Sequence, residues 1–253
     1  MRIEKIDFIL ALESGLHIGA NEDSMKIGGV DSPVLKREVF VNDKGEVSAD
    51  DKAKKLKEPY IPGSSIKGKM RSLLEQYFDV TDGEPANLDS PKGRGTSENR
   101  ELVIKLFGQI GNATKSVGIT RGLFRDGYLT NKYRKLAFEK RIELFEAKYE
   151  NVIDRKTGTT KNGGLRQIER VPSGIEFNVS LSVRYFETEQ EKGKLLSLLI
   201  LGLKLLELDA LGGSGSRGYG KVKFNGLEKI NVNVNKSTVL TDIESQLSSL
   251  NLA

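Results

Sequence analysis

Residues 211–224, LGGSGSRGYGKVKF, hold the densest set of chemistry-bearing groups in the chain. Gly213, Gly215 and Gly218 fall at the spacing G-x-G-x-x-G, and Gly215, Gly220 and Lys221 at G-x-x-x-x-G-K, both of which cradle nucleotide phosphates in other proteins. Each needs a strand before the glycines and a helix after them, because the helix N-terminus supplies the amides and the dipole that hold phosphate. Here a Leu-rich helical pattern precedes and an alternating strand follows, and Val222 stands where a P-loop needs a magnesium-binding hydroxyl. Both nucleotide readings therefore fail. A third pattern, basic-Gly-aromatic-Gly-aromatic-Val-x-aromatic, is a signature of RNA recognition, and Arg217 to Phe224 fit seven of its eight positions, with Lys221 in place of one ring. Strand alternation would set Tyr219, Lys221 and Lys223 on one face and turn Val222 and Phe224 into a core. Such a face suits an RNA backbone. The bland alternative is a glycine-rich helix-to-strand turn beneath a solvated lysine face.

Two further groups carry basic chemistry. Residues 121–170 hold 13 Lys and Arg against 7 Asp and Glu, so this region accounts for the whole excess of a chain whose net charge is +5. A basic stripe of this kind is the electrostatic footprint expected of a polyanion partner. Within it, residues 151–170 read as a hairpin with turn residues at its centre, carrying Arg155, Lys156, Lys161, Arg166 and Arg170 and few apolar residues; with little to bury, it is expected to serve binding. The second group is Pro62-Gly63-Ser64-Ser65, a helix start followed by Lys67, Lys69 and Arg71 on faces away from the core, a ready anion site or an ordinary capped helix. With no cysteine and His17 as the only histidine, a zinc site is not expected, and any metal would be a hard, oxygen-bound ion such as magnesium or manganese.

The elements that must position these groups follow from periodicity. Residues 2–13 alternate as a strand, 36–58 form a charged loop or weak hairpin, and Ile66, Met70, Leu73, Leu74 and Tyr77 give a helix from Ser64 or Ser65 to residue 78. Residues 81–100 read as a flexible polar loop and 117–129 as one strand with Arg121 and Arg125 sharing a face. A helix is expected within 133–149, from Phe138, Ile142, Phe145 and Tyr149, then a strand at 176–185, an apolar helix at 189–208, a strand at 219–232 and a terminal helix at 237–252. Stripped of insertions the order is strand, helix, strand, strand, helix, strand, an α+β, ferredoxin-like or RRM-like βαββαβ core in a single domain. That core spans about 1–18, 62–80, 115–130 and 174–232, with insertions at about 19–61, 81–114 and 131–173, the last holding the hairpin. At 37% hydrophobic and 30% charged residues, without a signal-peptide pattern or an apolar run long enough to span a membrane, the chain reads as cytoplasmic and free of membrane partners.

Taken together, Leu16-His17-Ile18-Gly19, Lys26-Ile27-Gly28-Gly29-Val30-Asp31-Ser32-Pro33, residues 60–71 (YIPGSSIKGKMR), Leu106-Phe107-Gly108, Asn151-Val152-Ile153-Asp154-Arg155, residues 166–172 (RQIERVP) and the glycine loop resemble the RAMP backbone subunit of type III-A CRISPR effector complexes. The matching segments run in order across almost the whole chain. The resemblance implies a subunit that stacks with copies of itself and with the other subunits of a Csm-type complex along a CRISPR guide RNA. The guide pairs with a single-stranded target RNA, a thumb hairpin wedges between bases, and a loop aspartate cuts the target at regular intervals with a divalent metal (Mg2+ or Mn2+). Residue by residue it makes Asp31 catalytic and places His17, Ser64, Ser65, Lys67 and Arg71 on the guide-binding surface and 151–170 in the thumb. Lys26, Arg121, Arg125, Arg155, Arg166 and Arg170, with Gly213, Ser214, Gly215, Ser216 and Arg217 of the loop, complete the expected RNA-binding set, and no metal ligands stand out.

Cleavage by attack of a 2′-hydroxyl on its own phosphorus needs an in-line backbone that a regular duplex withholds, so a wedge that splays one nucleotide would supply the geometry and Asp31 a base or an outer metal ligand. By its residues alone, Gly28 to Pro33 is equally ordinary turn chemistry. A structural RNA-binding backbone without catalysis of its own and a freestanding RNA-recognition protein are the other readings.

Overall fold

The structure is a computed structural model describing residues 1–20, 31–50, 53–109, 114–115, 117–186 and 189–226, with backbone alone at 189–191. Lys26, the strand beyond residue 226 and the terminal helix expected at 237–252 lie outside those residues.

Alternation in the first strand decides the sheet. In β1 (Arg2–Leu12) Ile6, Phe8, Leu10 and Leu12 are buried and their neighbours are not. It pairs antiparallel along nearly its full length with β8 (Glu176–Tyr185), which sets Ile6 against Leu181, Phe8 against Val179 and Leu10 against Phe177 on one face. Each such side chain contributes about 1.5–3 kcal/mol when buried. On the other side β1 pairs with β9 (Val222–Asn225), and β8 pairs with both β4 (Gly122–Phe124) and β5 (Gly127–Leu129). The core order β5–β8–β1–β9, with α1 (Gly63–Tyr77) and α4 (Glu189–Leu208) packed together, is the ferredoxin-like plan. α4 reads as apolar all round because Leu195, Leu198, Leu201 and Leu203, on different faces, are all buried between the sheet and α1 and α2 (Ser97–Phe107).

The charged segment after β1 is a real hairpin, β2 (Lys36–Val41) with β3 (Lys54–Ile61), and it lengthens the main sheet because β3 pairs with β5. A fully buried carboxylate, Glu58, holds it: Arg37 donates from Nε at 2.8 Å and Nη2 at 2.6 Å, and Arg134 from Nε at 2.6 Å. Arg134 sits on α3 (Asn131–Phe138), so one acid ties β2, β3 and α3 together.

Four expectations fail for physical reasons. The strand expected over 117–129 is broken in two at Arg125–Asp126, because the Asp126 carboxylate turns away to accept the Gly63 N–H at the start of α1 (2.8 Å). That contact needs glycine: a Cβ at Gly63 would lie 2.3 Å from the Phe124 carbonyl oxygen. The helix accordingly starts at Gly63 behind Pro62, without a serine cap. The helix expected in 133–149 stops at Phe138; Lys140 takes a left-handed φ of 57°, and residues 146–150 form a strand, β6 (Glu146–Glu150). Ile142 and Phe145 pack against the core from the turn after α3, whereas Tyr149 is 61% exposed, so the four spaced residues do not belong to one helix face. Finally, the polar segment after α1 is fastened rather than loose: Ala86 is buried and donates to Glu75 Oε1 at 2.9 Å, and Thr96 caps α2.

Candidate nucleic-acid interface

A hairpin does stand here, but its strands are β6 and β7 (Arg166–Arg170), the first of them before the expected 151–170; they form a separate two-stranded sheet with Glu146 opposite Arg170 and Glu150 opposite Arg166. Its outer arm, 151–165, turns at Asp154, whose Oδ1 accepts the N–H groups of Lys156 and Thr157. Arg155 and Arg166 are exposed along it. So are Tyr149, Val152, Ile153 and Leu165, apolar surface that sequence reasoning missed because nothing local says whether a hairpin residue is covered.

The segment carrying Asp31 lies against β7 through one parallel bridge, Ser32 to Ile168. The Asp31 N–H donates to the Gln167 carbonyl (3.1 Å), the Gln167 N–H returns to Asp31 Oδ2 (2.8 Å), and the Glu169 N–H reaches the Ser32 carbonyl (3.0 Å). Asp31 is exposed, with Oδ1 outside this pairing. Glu169 is buried behind it and accepts from Val34 N–H (2.9 Å) and Lys36 Nζ (2.7 Å), which pins the far end of the segment. His17 closes the group. Its Nδ1 lies 2.7 Å from the Glu169 carbonyl; a carbonyl only accepts, so the proton is assigned to Nδ1 and Nε2 accepts from Ser32 Oγ at 3.3 Å. The His17 carbonyl in turn accepts the Gly213 N–H (2.9 Å) from the glycine loop. Four stretches of the chain thus meet at the hairpin base: the segment after β1 at His17, the Asp31 turn, β7 and the glycine loop.

The RAMP superfamily profile matches residues 10–223 of this arrangement. The chain belongs to the RAMP superfamily. Among curated relatives, this RAMP chain is 38% identical over 226 residues to the CRISPR system Cms endoribonuclease Csm3 of Methanocaldococcus jannaschii, covering 89% of this chain and 79% of the relative. It is 36% identical over 235 residues to the protein of the same name from Streptococcus thermophilus, covering 92% of each. A solved chain described as the Csm3-Csm4 subcomplex in the type III-A CRISPR-Cas interference complex is 26% identical, with a TM-score of 0.45, over 88% of this chain and 74% of that one; at that score the superposition adds nothing to the assignment.

The RAMP fold distributes the expected RNA contacts unevenly. Ser64 is exposed and Ser65 and Lys67 half-buried at the start of α1, and among the described residues no ion pair engages Lys67. The α1 N-terminus itself already faces the Asp126 carboxylate, which competes with any phosphate there. Arg71 does not face outward: it is 8% exposed, donating to Glu75 (2.7 Å) and the Gly108 carbonyl (2.7 Å), because the turn that brings Met70 inward also carries its neighbour under the 81–96 loop. Arg121 is likewise buried, donating to the Ile119 carbonyl at 2.6 Å and lying over the Phe186 ring, whereas Arg125 is exposed at the break between β4 and β5. These two do not share a face.

Arg170 is half-buried and paired with Glu146. In the loop, Gly213, Ser216 and Arg217 are exposed, Ser214 and Gly215 half-buried, and Gly215–Arg217 form one 3-10 turn. Tyr219 departs most from expectation. It is 1% exposed and points into the hairpin base, because Gly220, at φ 72° and with its Cα so close to Leu211 that a Cβ would overlap the carbonyl oxygen, turns the chain before β9 begins. The stacking face of the RNA-recognition pattern is therefore absent here, and Lys221 and Lys223 alone face outward.

No described helix is long and apolar enough to cross a membrane, and among the described residues no group of three or more His, Asp or Glu is arranged to hold a metal. Asp31 with Oδ1 outside its hydrogen bond fits a different mode, a magnesium or manganese ion that keeps waters and takes one protein carboxylate together with phosphate oxygens.

Proposed function

We propose that this chain is a guide-RNA-binding backbone subunit of a type III-A CRISPR interference complex and that it cuts the target RNA paired with that guide through Asp31. The observation that carries the reading is the pairing of the Asp31 turn onto β7, which puts an exposed carboxylate at the base of a basic hairpin bearing exposed apolar residues. The endoribonuclease names of relatives that align over about nine-tenths of the chain support it.

In this reading copies of the chain stack along the guide, beside other subunits of the complex, and the hairpin of each enters the guide–target duplex. Val152, Ile153, Leu165 and Tyr149 supply apolar surface that can stack against an unpaired base, while Arg155 and Arg166 hold the flanking phosphates. A nucleotide splayed at the hairpin offers its 2′-hydroxyl in line with its own phosphorus. As the O2′–P bond forms and the P–O5′ bond breaks, leaving a 2′,3′-cyclic phosphate, Asp31 takes the 2′-hydroxyl proton, water supplies the proton to the departing 5′-oxygen, and the Gln167 N–H keeps the carboxylate in place; Asp31 would also be the residue that holds a divalent ion. When bound, a divalent ion would offset the charge that develops on the phosphate. His17, with its Nδ1 proton held by the Glu169 carbonyl and its Nε2 accepting from Ser32, ties the Asp31 turn to β7 and meets the guide by its half-buried ring rather than acting as an acid.

The test is target cleavage by the complex reconstituted with guide RNA, with and without EDTA. Regular cuts that chelation stops are expected, and an intact particle that leaves a complementary target whole would refute the proposal. The same particles separate the roles of two cationic residues on α1. Lys67→Ala is expected to weaken guide retention and to reduce the salt slope of binding by about one. Arg71→Ala should instead lower the melting temperature and leave the slope unchanged, since its guanidinium serves Glu75 and Gly108 inside the fold.

A further inference from the structure

The glycine loop looks from its composition like a phosphate or RNA loop, yet its aromatic residue is the one most completely taken up by the protein itself. Tyr219 lies beneath the face of the hairpin that carries Glu146, Lys148 and Glu150 from β6 and Arg166 and Arg170 from β7. Its hydroxyl donates to Glu150 Oε1 at 2.8 Å. Lys148 Nζ stands 4.3 Å from the ring centroid and the Arg170 guanidinium 5.2 Å from it, a cation from each strand. Arg217, two residues earlier in the same loop, takes the other Glu150 oxygen at 3.3 Å.

The pairing of Asp31, Ser32 and Glu169 runs along the edge of β7, so it fixes the hairpin within the plane of its own sheet. A two-stranded ribbon held only at its edge and root is still free to tilt out of that plane. Resistance to tilt has to come from contacts on the face, where Glu150 takes both the Tyr219 hydroxyl and Arg217 while Lys148 and Arg170 lie over the Tyr219 ring; of these the hydroxyl bond is the short, directional one. The hydroxyl is suited to it. Burial, then the adjacent Glu150 carboxylate, push its pKa up to about 12, so it remains a donor throughout the range in which RNA is handled.

We infer that Tyr219 is a positioning residue whose buried hydroxyl, bonded to Glu150, sets the pitch of the β6–β7 hairpin and, because the Asp31 turn rides on β7, the place of the Asp31 carboxylate along the target strand. The second half of this statement rests on the function proposed above; the first does not.

The absence of cysteine from the chain allows a direct measurement. Spin labels on Thr159→Cys, at the exposed hairpin tip, and Ser72→Cys, exposed on α1, report hairpin pitch as a distance distribution. In the otherwise unaltered protein a single narrow maximum is expected. Tyr219→Phe, which keeps the ring and loses the hydroxyl, should lose that maximum to a broad distribution, and so should Glu150→Ala, whereas Glu150→Gln, which retains an acceptor oxygen, should keep it narrow. A distribution as narrow in Tyr219→Phe as in its parent, in a protein that melts at the same temperature, would overturn the latch.

In guide-loaded particles Tyr219→Phe should replace one sharp cut per interval with cuts at neighbouring phosphodiesters, and Glu150→Gln should restore the sharp cut. Equally sharp cutting by Tyr219→Phe would overturn the link to Asp31. A parent particle that never cuts refutes the proposed function instead, and the label distances still decide the latch.

Discussion

Asp31→Ala is expected to abolish cleavage of the guide-paired target, by about 10²–10⁴-fold in rate, the contribution typical of a positioned acid, base or metal-holding carboxylate. Assembly and guide retention should stay at the parent level. Asp31 is exposed and, among the described residues, its side chain makes one hydrogen bond, to the Gln167 N–H, while the backbone pairs that seat the turn on β7 involve no side-chain atom of residue 31. Asp31→Asn sharpens the experiment. The amide oxygen can still accept from Gln167, so the turn stays in place and only the charge is lost. If the asparagine particle cuts at the parent rate, the carboxylate is not the acting group, and the chain is then a structural RNA-binding backbone whose target is cut elsewhere in the complex. Loss of cutting with the full complement of guide still bound points to Asp31 itself. Gel analysis of labelled target, with guide quantified in the same particles, provides both readings.

Glu58→Ala should be the most damaging single change to stability away from the hydrophobic core. Glu58 is wholly buried and faces two guanidinium groups, Arg37 and Arg134, of which Arg134 is also buried. Removing the acid strands those cations in a low dielectric, a cost of about 3–5 kcal/mol for a broken buried pair. For a chain of this size that is a fall in Tm on the order of 10 °C. Arg37 also lies over the Tyr128 ring at 3.5 Å, so the loss should loosen β2–β3 from β5 as well as from α3. Glu38→Ala is the matched control: its carboxylate is paired with Lys55 and Lys57 but exposed, where solvent and salt screen such pairs, so its melting temperature should stay close to the parent's. Thermal melts of the two variants that fell together would show that Glu58 does not hold this corner of the sheet.

Apolar periodicity was enough to find the framework. β1, β8, α1 and α4 each bury residues at spacings of two or of three and four, a local signal, and their order in the chain already implied the ferredoxin-like sheet. Short elements were harder. β4 and β5 read as one strand because Asp126 leaves the sheet to meet Gly63, 63 residues earlier, and β6 read as part of a helix because Phe138, Ile142, Phe145 and Tyr149 fall by coincidence at helical spacing.

By itself the amino-acid sequence determined that this protein has an α+β core, a basic hairpin inserted in its second half, no cysteine chemistry, and a string of motifs that place it in its family. Only the tertiary structure decided which of its charged and aromatic groups face a partner. Arg71 and Arg121 are drawn inward by acceptors on other elements, and Tyr219 is turned under the hairpin by a left-handed glycine and caught by Glu150, 69 residues away. Asp31 is seated by Gln167, 136 residues later. The physical reason is the same in each case: burial periodicity is written into neighbouring residues, whereas the direction of a polar side chain depends on a hydrogen-bonding partner that the chain brings near only when it folds.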